Sequence, residues 1–221
     1  MATKETQNLK NKRILITAGP SWVPIDGVRV ISNIATGKTG ILLAEKLQHL
    51  GVKVTLLLGP VGACCLNKQI KLIRFNFFDE LKDKLITELK SGEYDILIHS
   101  AAVSDYRPLK VYSRKIKSAI KKWTLDLIPT EKIIDLIKNI DRSLFTVGFK
   151  FEPEAQKNSL IKEAKALLCR SNLDLAVANT VVNKKYRAFI IDGNQIYGPL
   201  LSKEVLADKL IRVVRENLWK N

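Results

Sequence analysis

A chain of 221 residues, 46% of them hydrophobic, is long enough to bury one full core, and a net charge of +15 points to a polyanionic partner. No apolar run approaches the ~20 residues that span a bilayer, and the polar start MATKETQNLKNKR lacks the apolar centre of a signal peptide. Three cysteines, Cys64, Cys65 and Cys169, and two histidines, His49 and His99, supply neither a disulfide framework nor a zinc-ligand spacing, so the expectation is a reduced, cytoplasmic protein.

The first apolar run, residues 13–18 (RILITA), reads as a buried strand ending in the loop pair Gly19-Pro20. Residues 40–50 carry apolar side chains at helical spacing and stop at Gly51, as a helix with a C-terminal glycine does. The β-branched and apolar residues 52–58 predict a second buried strand, 71–75 a weaker third, and 79–90 an amphipathic helix. A strand at 94–99 follows, then a basic loop, a strand at 124–128, a helix at 131–139, a strand at 145–149 and a helix over 153–170. The chain closes with a strand at 173–178, a hairpin of 188–191 and 195–197 around Asp192-Gly193-Asn194, and a helix at 203–218. This alternation predicts an α/β fold: a doubly wound, mostly parallel, Rossmann-like sheet with helices on both faces and a small antiparallel hairpin appendage near the C-terminus. Residues 1–12 read as a disordered tail and 13–221 as a single domain.

The most informative stretch is 101–117, AAVSDYRPLKVYSRKIK. It follows a buried strand, opens with the small pair Ala101-Ala102, and places a lone acid, Asp105, before a basic loop. From 107 to 122 there are seven Lys or Arg and no Asp or Glu. Ligands of open α/β sheets settle beyond the strand C-termini, so a cationic loop there predicts a ligand with several phosphates; the bland alternative is a solvated basic loop. Dinucleotide binding in the usual mode is disfavoured. AGPSWVPIDG lacks the G-x-G-x-x-G spacing, and the second strand ends Leu57-Leu58-Gly59 without an acid for a ribose. Gly37-Lys38-Thr39 imitates the end of a P-loop, but Ser32 stands where its first glycine belongs. The segment 36–40 still opens a helix, whose free N–H groups favour an anion, while Gly37 and Gly40 also permit close packing.

Seven ordered segments together resemble the phosphopantothenoylcysteine synthetase (phosphopantothenate–cysteine ligase) family: TAGPSWVPIDGVRVISNIATGKTG (17–40), GVKVTLLLGP (51–60), AAVSDYRP (101–108), KIK (115–117), LDLIPTEKII (125–134), VGFKFE (147–152) and NLDLAVANTV (172–181). The resemblance implies a ligase. The carboxylate of 4′-phosphopantothenate attacks the α-phosphate of CTP, or of ATP in eukaryotic members, and the cysteine amine then attacks the acyl-nucleotide, a step in coenzyme A synthesis. It implies Mg²⁺ with the triphosphate, no dedicated metal-ligand cluster, and a homodimer in which the basic loop helps close the site.

Residue by residue, Asn33 matches the asparagine that holds the acyl-nucleotide, its amide able to donate to an oxygen of the intermediate and accept from an amine while staying neutral. Lys115 matches the loop lysine that steadies the triphosphate, with Lys117 beside it. Asp105 matches the acid near base and ribose. Gly19, the backbone of Ser100, Ala101 and Ala102, and that of Glu131, Lys132, Ile133 and Ile134 resemble the nucleotide enclosure, with Phe149 the aromatic residue beside the base. Thr36, Gly37 and Lys38 fall where the family's glycine-rich loop handles the pantothenate phosphate.

Three departures bear on specificity. Ala18-Gly19-Pro20 replaces the usual Gly-Gly-Thr, Leu167 and Ser171 replace lysines typical of CTP-using members, and Lys150 replaces a small residue. CTP remains the expected nucleotide, with ATP the alternative. Only about twelve residues precede the first strand, so the flavin-dependent decarboxylase half found in many members is expected to be absent, and flavin with it. A nucleic-acid-binding role is the competitor from another class. At 7% aromatics and with no recognition motif, nucleic acid is not an expected partner.

Overall fold

The computed structural model describes residues 9–63, 65–118, 121–193 and 195–218. Short apolar runs become strands because both faces of each are covered. In β1 (Arg13–Ala18), Ile14, Ile16 and Ala18 pack into the core on one face and Leu15 into the core on the other. Around β1 the chain builds β2 (Trp22–Pro24), β3 (Val30–Ser32), α1 (Lys38–His49), β4 (Lys53–Leu58), β5 (Lys71–Arg74), α2 (Phe78–Lys90) and β6 (Ile96–His99). There follow β7 (Tyr106–Pro108), β8 (Leu127–Pro129), α3 (Ile133–Ile140), β9 (Phe145–Phe151), α4 (Lys157–Arg170), β10 (Leu175–Val182), β11 (Lys185–Ile191), β12 (Ile196–Leu200) and α5 (Lys203–Leu218).

Eight strands form one sheet in the order β12-β11-β10-β9-β6-β1-β4-β5, parallel from β5 to β10 and antiparallel at β10–β11 and β11–β12. Helices α1 and α5 cover one face, and α2, α3 and α4 the other. The doubly wound expectation therefore holds, with the antiparallel appendage continuing the main sheet. From β1 the chain runs outward through β4 and β5, then returns to lay β6 against the other side of β1. That reversal puts a crevice beyond the C-termini of β1 and β6.

Three elements differ from expectation for identifiable reasons. The predicted strand at 124–128 is a three-residue β8 outside the main sheet, pairing antiparallel with β7 in a separate ribbon. Pro108 and Pro129 sit in this ribbon, and a residue without an N–H cannot serve a central ladder. A second ribbon, β2–β3, was not anticipated. The β10–β11 hairpin turns on Asn183 and Lys184, both with positive φ (48° and 63°), a two-residue turn that lacks the glycine by which such turns are recognised. Of the Asp192-Gly193-Asn194 turn, Asn194 lies outside the described residues. Part of the expected N-terminal tail is ordered: Leu9–Asn11 form a 3-10 turn with Leu9 buried, and the Lys12 ammonium meets Asp95 at 2.7 Å.

α1 lies unusually close to the sheet where β1 and β6 end. A Cβ on Gly40 would come within 2.5 Å of the Ala18 Cβ and 2.8 Å of the Ser100 Oγ. Gly40→Ala should therefore destabilise the fold by about 1–3 kcal/mol despite alanine's better helix propensity. Urea unfolding checks this, and a variant as stable as the parent would show that the helix has room to move out.

Candidate active site

The ends of β1 and β6 are joined by polar groups carried on backbone. Ser100 Oγ donates to the Thr17 carbonyl at 2.7 Å, and the Ala101 N–H donates to Thr17 Oγ1 at 3.3 Å. Beyond the ladder, the Ala102 N–H donates to the Gly19 carbonyl at 2.9 Å and the Ser21 N–H to the Ala102 carbonyl at 3.2 Å. Gly19 supplies the positive φ (81°) that turns the chain there. Beneath this lies His99, fully buried, its Nδ1 sharing a 2.8 Å hydrogen bond with Thr17 Oγ1. Burial pulls its pKa down from 6.5 to about 4, so the ring is neutral at physiological pH.

Asn33 follows β3 and reaches into this crevice. Its Nδ2 donates to the carbonyls of Ala102 (3.2 Å) and Val103 (3.1 Å). Both partners are acceptors, which fixes the amide's orientation and uses both N–H donors. Among the described residues this leaves Oδ1, an acceptor, without a partner. Asp105 stands at the same end, its side chain paired with the Lys132 ammonium and its carbonyl accepting from the Thr130 N–H at 2.9 Å. Gly19, Ser100, Ala101, Ala102, Asn33, Asp105 and Lys132 are thus brought together.

The other enclosure residues divide. Ile133 is buried in the core, so only its backbone is available, and Glu131 is paired with Lys82. Ile134 packs with the α2/α3 core, whereas Phe149 packs with the α1/α5 core, so these two side chains lie on opposite faces of the sheet. The positions of the missing lysines are not surface at all. Leu167 packs toward Gly148, and buried Ser171 donates to Asp135.

At the mouth of α1 no side chain caps the helix, Gly37 holds a positive φ (67°), and the Lys38 N–H lies 3.4 Å from Thr36 Oγ1. The first-turn N–H groups of the helix have no partner within it, and such a helix start favours an anion. The Lys38 side chain enters a cavity of about 670 Å³ whose lining includes Lys184, Arg187, Tyr186, Lys203 and Glu204. Burial, then the neighbouring Lys38 ammonium, holds Lys203 below the ordinary lysine range, with Glu204 opposing. The Tyr186 hydroxyl is buried with no hydrogen-bond partner among the described residues. Lys38 lies 3.8 Å from the Glu204 carboxylate, so one acid offsets part of the charge and Lys184, Arg187 and Lys203 leave the lining net cationic, which favours an anion. Apart from Lys38, these residues come from the β10–β11 turn, β11 and the start of α5, outside the segments that carry the family resemblance, so the sequence did not single them out.

Lys115 and Lys117 are exposed and flank Ile116, whose backbone is bonded to the β2–β3 turn. That turn is four residues from Asn33, about 13 Å of extended chain. Among the described residues no three His, Cys, Asp or Glu side chains converge as a metal-binding group, and no helix is long and apolar enough to cross a membrane.

A family model described as the DNA/pantothenate metabolism flavoprotein C-terminal domain matches residues 9–218, and the chain belongs to that family. The coenzyme A biosynthesis bifunctional protein CoaBC of Thermococcus kodakarensis is 34% identical over 218 residues, which is 96% of this chain and 51% of that protein. The chain thus spans about half the length of the curated relatives it matches. Among solved structures, the DNA/pantothenate metabolism flavoprotein from Streptococcus pneumoniae superposes with a TM-score of 0.83 at 25% identity, covering 93% of this chain and 99% of that one. The C-terminal domain of CoaBC superposes at 0.79 with 26% identity, covering 97% and 100%.

His99 also sets a pH dependence. It protonates near pH 4 in the folded chain and near 6.5 when unfolded, so unfolding takes up a proton between those values. Its contribution to stability is complete above pH 6.5 and is lost as pH falls toward 4, by about 3 kcal/mol in all. His99→Gln should show a correspondingly smaller difference in unfolding free energy between pH 7 and pH 4.5 than the parent. Equal differences would mean that His99 ionises freely in the fold.

Proposed function

We propose that the chain joins 4′-phosphopantothenate to L-cysteine through an acyl-nucleotide, as a phosphopantothenate–cysteine ligase. The observation that carries this is Asn33, seated at the switch-point crevice with its donors committed and Oδ1 free. A carboxylate oxygen of phosphopantothenate attacks the α-phosphorus, and pyrophosphate leaves with the electron pair of the broken bond. Lys115, with Lys117 near it, stabilises the charge gathering on that leaving group. The cysteine amine next attacks the acyl carbon, loses a proton, and expels the nucleoside monophosphate. Asn33 Oδ1 accepts an amine N–H and orients the nucleophile, while the Ala102–Val103 backbone that Asn33 grips keeps its shape.

Mg²⁺ arrives with the triphosphate, whose oxygens and water supply most of its ligands. The base rests on backbone at Ser100, Ala101 and Ala102 and at 131–134, with Asp105 beside it. Buried Leu167 and Ser171 offer it nothing, and CTP is preferred to ATP. The phosphate of phosphopantothenate docks at Thr36–Gly37–Lys38 and in the cationic cavity that Lys38 shares with Lys203. Exposed Val28, Val30 and Ile34 on one ribbon, and Tyr106, Leu109 and Leu127 on the other, form an apolar surface beside the site that suits burial against a second copy. The working unit is a homodimer.

Pyrophosphate release should require phosphopantothenate and a triphosphate and should be faster with CTP than with ATP; no release with any common triphosphate sinks the ligase. Asn33→Ala should still release pyrophosphate but accumulate the acyl-nucleotide, seen by mass spectrometry, and normal amide formation would remove Asn33 from its role. Lys203→Glu should raise KM for phosphopantothenate roughly tenfold, about 1.4 kcal/mol, with the KM for the triphosphate unchanged. An unaltered phosphopantothenate KM would place the phosphate elsewhere.

A further inference from the structure

Between β7 and β8 the chain runs eighteen residues, a length at which loops are either functional or loose, and its described residues, 109–118 and 121–126, have no regular structure. This one is held. The Tyr112 N–H donates to the Ile25 carbonyl at 3.0 Å, and the Arg29 guanidinium lies 5.1 Å over the Trp123 ring, which meets Tyr112 edge-on. Gly27 lies so close that a Cβ there would stand 3.1 Å from the Ser113 carbonyl. All these contacts converge on the five-residue turn between β2 and β3.

At its centre is Asp26, whose side chain has no exposed surface. One oxygen, Oδ1, accepts from the N–H groups of Val28 (3.0 Å) and Arg29 (2.9 Å), an ordinary aspartate turn. The turn has no need of the other oxygen. Oδ2 accepts from the Ile116 N–H at 3.1 Å, ninety residues along the chain. Arg29 Nη2 donates to the Ile116 carbonyl at 2.7 Å, and its Nε lies 3.7 Å from Asp26 Oδ2. Burial alone would raise the Asp26 pKa. The three backbone donors and Arg29 outweigh it and hold the carboxyl below its ordinary range, so the group is an anion at neutral pH.

We propose that Asp26 is a positioning residue for Lys115: with Arg29 it grips both the N–H and the carbonyl of Ile116, and so fixes the backbone between Lys115 and Lys117. The inference rests on the role of Lys115 in the ligase reading. A loop bearing many cations and few anions repels itself and, if free, would have to be ordered anew for each triphosphate. One buried carboxylate seats its middle in advance. The same hairpin ends at Asn33, so one element sets the position of both the cation that serves activation and the amide that serves transfer.

Asp26→Asn keeps an acceptor for the turn but turns an N–H toward the Ile116 N–H. Its pyrophosphate-release kcat should fall on the order of 10²-fold, with the KM for phosphopantothenate unchanged. Hydrogen exchange at Ile116 should accelerate at least ~10-fold while β1 and β6 stay protected. Combined with Lys115→Gln, it should add little to the loss that Lys115→Gln causes alone. Asp26→Glu, which keeps the charge but moves the carboxylate by one methylene from the Ile116 N–H, should reproduce part of the kinetic defect if Asp26→Asn folds poorly. Unchanged exchange at Ile116 in Asp26→Asn, or losses that add in the double variant, overturns the proposal. If the parent chain is itself inactive with every triphosphate, the ligase reading falls and the positioning role falls with it, while exchange at Ile116 still decides whether the grip exists.

Discussion

Where β1 and β6 end side by side, their backbone groups lose the ladder partners that parallel neighbours supply, and a polar group left unpaired in a closed place is costly. The chain resolves this by passing hydrogen bonds between the two exits. Gly19 and Ala102 bond to each other, Ser21 returns to Ala102, and Asn33 spends both amide hydrogens on Ala102 and Val103. The geometry of the candidate site follows from that accounting. It requires a glycine at 19 to turn the chain and a glycine at 40 to let α1 close over Ala18 and Ser100.

The same constraint links the core to the chemistry. Thr17 connects buried His99 to the Ala101 N–H, so a neutral imidazole beneath the sheet end helps hold the loop at the crevice. On the outer side the β2–β3 hairpin works as a short lever, carrying Asn33 at one end and holding the basic loop at the other. Charge is arranged to match. A cationic loop is tied to the β2–β3 turn, a cationic cavity opens beyond Lys38, and the acid at 105 is already paired with Lys132. A substrate with phosphates at one end and a carboxylate at the other suits such a layout.

Membership in the DNA/pantothenate metabolism flavoprotein C-terminal domain family agrees with the fold. The chain departs from the expected pattern where the base would be read. Leu167 is packed against the Gly148 region and Ser171 is bonded to Asp135, so these positions have been taken into the core. Lys150, another departure, is paired with Glu152.

The sequence by itself determined the parallel sheet and its helices, because buried strands demand apolar runs and surface helices demand a 3.6-residue rhythm, both local patterns written in consecutive residues. It also marked Asp105 and the basic loop, since lone charges and charge runs are visible in one dimension, whereas Asn33 stood out only through the family resemblance. Tertiary structure alone decided the rest. The short proline-bearing ribbons carry too few residues to show a period. The cavity of Lys38, Lys184, Arg187 and Lys203 draws on segments more than 140 residues apart in the chain. The bond from Asp26 to Ile116 spans ninety residues and leaves no local signature, because an aspartate that reaches across the molecule looks, in sequence, like one that merely starts a turn.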